Sequence, residues 1–101
     1  MSDSDLLERA QMALGQIRDP EAGLSVIDLG LIYELTAENG QIRVTMTFTS
    51  EGCPASGFLV DEIEAALRGL DGTRDVAVTV TFEPPWTPDR ITPDGRAILG
   101  W

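Results

Sequence analysis

Along the first twenty positions the apolar residues recur with a helical period. Leu6, Ala10, Ala13, Leu14 and Ile17 fall at i, i+4, i+7, i+8 and i+11, one stripe of an amphipathic helix. Asp5 and Glu8 have the spacing of a capping box and Asp19-Pro20 forms a stop, so the pattern predicts a helix over 5–18. Beyond a loop at Glu21-Ala22-Gly23 the period falls to two. Leu31, Tyr33 and Leu35 alternate with Ile32, Glu34 and Thr36, and Ile42, Val44, Met46 and Phe48 alternate with Arg43, Thr45, Thr47 and Thr49. Asn39-Gly40 lies between these two strands, the dipeptide best suited to a type I′ hairpin turn. Helical spacing returns in Leu59, Ile63, Ala66, Leu67 and Leu70, with Pro54 fit for a first turn and Asp71-Gly72 as the stop, predicting a helix over 54–70. Val76, Val78, Val80 and Phe82 then alternate as a third strand until Pro84-Pro85 ends ladder pairing.

The turn fixes a register. With Glu38 facing Gln41, the pairs Ala37–Ile42, Leu35–Val44, Tyr33–Met46 and Leu31–Phe48 are all apolar, whereas Glu34–Thr45, Thr36–Arg43 and Ile32–Thr47 form a mostly polar opposite face. The second strand, second helix and third strand make a right-handed β-α-β unit with parallel strands. The expected fold is α/β in the two-layer α+β sense: order α-β-β-α-β, a small mixed sheet, two helices on its apolar face. It is a single domain over 1–101 with a Pro-rich tail at 83–101. Two Thr-Pro-Asp starts in that tail resemble helix N-caps followed by proline, which predicts short turns or one short helix near 96–99.

Composition narrows the chemistry. The 101-residue chain has a formal charge of -10, one cysteine and no histidine, and its basic residues are all arginine. Without histidine, a Ser-His-Asp triad, a Cys-His pair and imidazole metal sites are excluded from this chain alone. The negative charge repels phosphate backbones and anionic lipid, so neither nucleic acid nor membrane is an expected partner. No apolar run approaches the roughly 20 residues of a membrane span, and the N-terminus lacks a basic signal-peptide region. A lone cysteine forms no internal disulfide and fits a reducing compartment, so the expected location is the cytoplasm. The acidic, lysine-free composition reads equally as salt adaptation or as genome bias.

The topology brings three chain segments to one edge of the sheet: Asp28-Leu29-Gly30 before the first strand, Glu51 to Pro54 after the second, and Glu83 to Trp86 after the third. Asp28, Glu51, Cys53, Glu83 and Trp86 are therefore expected around one shallow pocket beside the N-terminus of the second helix, where open sheets bind ligands. Cys53 is the candidate reactive thiol. The helix end favours its thiolate and nearby carboxylates oppose it. Each residue also has a plain structural reading: Cys53 as a small buried cap residue, Asp28 as an Asx-turn residue before Gly30, Glu21 as a solvated loop charge, and Trp86 as a packing lid. No catalytic residue is assigned beyond that thiol.

Taken together, Asp19-Pro20-Glu21, the run from Val26 through Asp28-Leu29-Gly30 to Tyr33, the run from Val44 to Thr49 with Gly52-Cys53-Pro54, and Pro84-Pro85-Trp86-Thr87-Pro88 resemble the metal–sulfur (iron–sulfur) cluster biosynthesis family. That SufT-like family takes in the PaaD subunit of phenylacetate catabolism and the N-terminal domain of Mrp-type carrier ATPases. The resemblance spans about 19–86. It implies assembly of iron–sulfur clusters or their delivery to apo-proteins, acting as a transfer or adaptor protein and not an enzyme, with the family's reactive cysteine matching Cys53 and its aspartate matching Asp28. The implied partners are cluster carriers or scaffolds and client apo-proteins. A cluster normally takes four thiolate or imidazole ligands, so one chain holds neither cluster nor iron stably. Transient cargo would need Cys53 shared with a partner or with the second Cys53 of a homodimer. Two alternatives stand beside this. One is a non-catalytic PaaD-like subunit of an oxygenase complex, against which the chain lacks a Cys-rich tail. The other is a thiol enzyme using Cys53, against which it lacks a histidine base.

Overall fold

The computed structural model of the protein describes residues 3–19, 23–49 and 56–100. The elements run α1 (Asp3–Leu14), β1 (Ile32–Glu38), β2 (Gln41–Met46), α2 (Ser56–Arg68), β3 (Asp75–Val80), a 3-10 turn (Pro88–Arg90) and α3 (Pro93–Leu99). The sheet order is β1-β2-β3, with β1 antiparallel and β3 parallel to the central β2. This is the α-β-β-α-β mixed sheet that the periodicity predicts, with a short third helix from the tail.

Helix α1 buries Leu6, Ala10 and Leu14, and α2 buries Leu59, Ile63 and Leu67. Both stripes meet Ile42, Val44, Met46 and Val76 on one face of the sheet in a single core. Each of the buried Leu, Ile, Val and Met side chains contributes about 1.5–3 kcal/mol. The hairpin turns as the dipeptide requires, with Asn39 at φ 52° and Gly40 at φ 80°.

Several boundaries differ from the sequence reading. Helix α1 begins at Asp3 and ends at Leu14, not 5–18, so Asp5 lies inside the helix and is not its cap. The Asp3 carboxylate instead accepts from the Asn39 backbone N–H at 3.0 Å, tying the helix start to the hairpin turn. Past Gly15 the chain leaves the helix to pair with a later segment: Val26 N donates to Ile17 O and Asp19 N to Leu24 O, each at 2.9 Å, around an Arg18–Ser25 bridge. Ile17 stays in the core without being helical. Helix α2 is described from Ser56, so the expected first-turn Pro54 lies outside the described residues. Strand β3 ends at Val80 and not at Phe82.

The register holds from Glu34 to Glu38 against Thr45 to Gln41, then shifts by one. Ile32 pairs with Met46, leaving Tyr33 as the extra residue of a β-bulge. The expected pairs Tyr33–Met46, Leu31–Phe48 and Ile32–Thr47 are thereby replaced. Thr47, assigned by alternation to the polar face, is completely buried, and its backbone N–H donates to Leu31 O at 2.9 Å.

Candidate functional site

Across the sheet Ile32, Met46 and Val80 stand side by side. The segment entering β1, the one leaving β2 and the one leaving β3 therefore emerge from a single edge. Asp28 and Gly30 belong to the first of these segments, and Glu83 and Trp86 to the third. Glu51, Cys53 and Pro54, between β2 and α2 in the sequence, and Glu21, between α1 and β1 in the sequence, lie outside the described residues.

The segment 28–30 is built locally and then clamped from a distance. Leu29 N donates to Ser25 O and Gly30 N to Ile27 O, each at 3.0 Å, while the Ser25 hydroxyl accepts from Asp28 N at 3.0 Å. The tail then folds back over it. Trp86 Nε1 donates to Leu29 O at 2.7 Å, and the half-buried indole packs against the core. Thr92 N donates to Asp28 O at 2.9 Å, and the Thr92 hydroxyl donates to Asp28 Oδ1 at 2.8 Å. The same hydroxyl accepts from Gly95 N at 3.1 Å, the N-cap bond of α3, and Gly100 closes that helix in the left-handed conformation. One oxygen of Asp28 thus serves a half-buried structural bond, and the Asp28–Thr92–Gly95 chain joins α3 to the entry of β1.

Two glycines permit this closeness. Gly30 has φ 74°, and an added Cβ would overlap the Arg90 carbonyl oxygen. At Gly95 it would stand 2.9 Å from Ile91 Cγ2 and 3.1 Å from Asp28 O.

The bulge turns Tyr33 toward the same edge. Its hydroxyl donates to Pro84 O at 2.7 Å, and the Arg90 guanidinium lies 4.5 Å from its ring centre. Together Gly30, Ile32, Tyr33, Pro84 and Arg90 line an open depression of about 430 Å³. Asp28 and Trp86 are not among its lining residues; they hold the loop that forms one wall. Glu83 is exposed, and its backbone N–H donates to the Thr81 hydroxyl at 3.2 Å. Tyr33, Arg90, Thr92 and Gly95 are absent from the sequence-derived site. Only Thr92 carried a local signal, its Thr-Pro-Asp cap. Among the described residues no three of Cys, His, Asp and Glu gather so as to hold a metal ion, and no helix is long and apolar enough to cross a membrane.

Comparison with known proteins gives this architecture a family. Residues 7–80 match the family described as iron-sulfur cluster assembly protein. The chain is 40% identical over 96 residues to the Fe-S protein maturation auxiliary factor YitW of Bacillus subtilis, covering 94% of each chain. It is 34% identical over 83 residues to the Fe-S protein maturation auxiliary factor SufT of Staphylococcus aureus, covering 81% of this chain and 94% of the relative. A crystal structure of a DUF59 domain from Bacillus anthracis superimposes with a TM-score of 0.90 at 32% identity, over 99% of this chain and 96% of the other. With the family match spanning α1 to β3 and the relatives covered nearly end to end, the chain belongs to the iron-sulfur cluster assembly protein family.

Proposed function

We propose that this protein takes part in iron–sulfur cluster assembly or delivery, as a transfer or adaptor factor that brings clusters to apo-proteins and not as an enzyme. The observation that carries this is the alignment with the B. subtilis maturation factor across nearly the whole of both chains. The cluster is cargo in this reading. One cysteine and no histidine per chain fall short of the four soft ligands a cluster normally takes, so Cys53 acts as one thiolate within a set completed by a carrier, a client or a second copy. In this reading Asp28, Gly30 and Trp86, on the segments that the tail braces, belong to the same site as Cys53, and Glu21, Glu51, Pro54 and Glu83 are assigned to it as well. The proposed compartment is the reducing cytoplasm, where a single thiol stays free to ligate or transfer.

The test is Cys53→Ser, because serine suits a helix cap yet is a poor ligand for soft metal. We expect the purified variant to melt close to wild type, while iron–sulfur enzymes lose activity in cells whose own copy has been replaced. A variant that melts normally and leaves those enzymes fully active would reduce Cys53 to a structural residue.

A further inference from the structure

We propose that the depression lined by Gly30, Ile32, Tyr33, Pro84 and Arg90 is a docking pocket for an acidic side chain, an Asp or Glu presented by a partner protein, with the Arg90 guanidinium as its anchor. The inference needs no cluster and stands apart from the role proposed for Cys53.

Three observations carry it. First, Arg90 is held in place before anything binds. Its backbone lies against Gly30, where a Cβ would collide with it, and Arg90 N donates to Thr87 O at 3.0 Å. Its guanidinium lies over a Tyr33 ring that is itself fixed by the bond to Pro84 O. The backbone of Arg90 is therefore fixed, and the ring contact holds its guanidinium beside Tyr33.

Second, this charge has no carboxylate partner among the described residues, although the chain has 17 acidic residues against 7 basic ones. By contrast Arg68 pairs with Glu64 at 3.0 Å and Arg96 with Asp89 at 4.0 Å, so the acid one position from Arg90 is turned toward another partner. A guanidinium over an aromatic ring keeps its N–H edge free, and that edge matches a carboxylate in two-point geometry.

Third, Ile32, Pro84 and the Tyr33 ring give the depression apolar side chains beside the guanidinium. They favour a carboxylate flanked by aliphatic residues. The overall charge of -10 disfavours a polyanionic stretch, so the partner segment is one acid among apolar neighbours.

The experiment is an NMR titration of the full chain with two N-acetylated, C-amidated peptides, Ala-Leu-Glu-Leu-Ala and Ala-Leu-Gln-Leu-Ala. Blocked ends leave the glutamate as the only carboxylate. The glutamate peptide should shift the Gly30 amide and Arg90 Nε–H signals saturably and bind about fivefold or more tightly than its glutamine counterpart. Arg90→Gln should erase that preference, and Arg90→Lys should keep part of it. Arg90 is exposed, so these variants should retain the wild-type amide spectrum; if one does not, the two-peptide comparison on unaltered protein decides alone. Equal binding of both peptides, no shift at either signal, or a preference surviving in Arg90→Gln would overturn the proposal.

Discussion

Gly23 and Gly30 share a backbone φ of 74° but occupy very different surroundings. Nothing lies within 4 Å of the position a Cβ would take at Gly23, whereas at Gly30 that position overlaps the Arg90 carbonyl oxygen and stands 2.7 Å from the Arg90 Cβ. Alanine at Gly23 meets only the left-handed backbone penalty, about 1–2 kcal/mol. Alanine at Gly30 meets the same penalty plus a collision with main chain that cannot swing aside, for a total of about 3 kcal/mol or more. Urea denaturation of both variants should separate them by about 2 kcal/mol; equal losses would mean that the tail lifts off the 28–30 segment readily. The glycine of Asp28-Leu29-Gly30 is thus required by contact with a residue 60 positions away. Its two neighbours are spoken for by the same tail, Leu29 through its carbonyl to Trp86 and Asp28 through its carboxylate to Thr92.

The hairpin and the tail differ in how far their sequences announce them. Asn39-Gly40 specifies a turn, the turn specifies a register, and from Glu34 to Gln41 the register follows. The bulge at Tyr33 escapes this logic, because alternation assigns tyrosine to the apolar face. What overrides it is a pair of contacts from distant chain, the Pro84 carbonyl and the Arg90 guanidinium. Helix α3 shows the same division: Thr92-Pro93 announces a start, but nothing local says that the capping hydroxyl also donates to Asp28. Thr92→Ala therefore removes more than a cap. It should destabilise by about 1–2 kcal/mol, at the upper end of cap losses because a half-buried carboxylate oxygen loses its donor as well. Thr92→Ser, which keeps the hydroxyl, should recover most of this in the same denaturation assay. A loss confined to α3 exchange protection, with global stability unchanged, would show that the bond to Asp28 contributes nothing to the fold.

For the whole molecule, topology was the readable part of the site: one antiparallel and one parallel pairing oblige the segments flanking the strands to emerge together, and Ile32, Met46 and Val80 do stand in one row. The bonds that brace that edge were not readable, since each joins residues 50 or more positions apart and depends on a tail whose course carries no periodic signal. The charge of the chain is a property of this same scale. A formal -10 is held within a radius of gyration of 13.3 Å, a distance comparable to the Debye length of about 10 Å at 0.1 M salt, so carboxylates on separate elements repel one another in the folded state. Unfolding relaxes that repulsion by spreading the charges apart. Raising NaCl from about 10 mM to about 300 mM, which shortens the Debye length from about 30 Å to below 8 Å, should therefore stabilise the protein. A gain of about 1 kcal/mol would raise the melting temperature by about 4–8 °C for a domain of this size. KCl should act like NaCl, because screening depends on ionic strength and not on a bound ion. A flat or falling melting temperature would mean that attractive pairs such as Arg68–Glu64 and Arg96–Asp89, which salt weakens, outweigh the repulsion among the remaining acids.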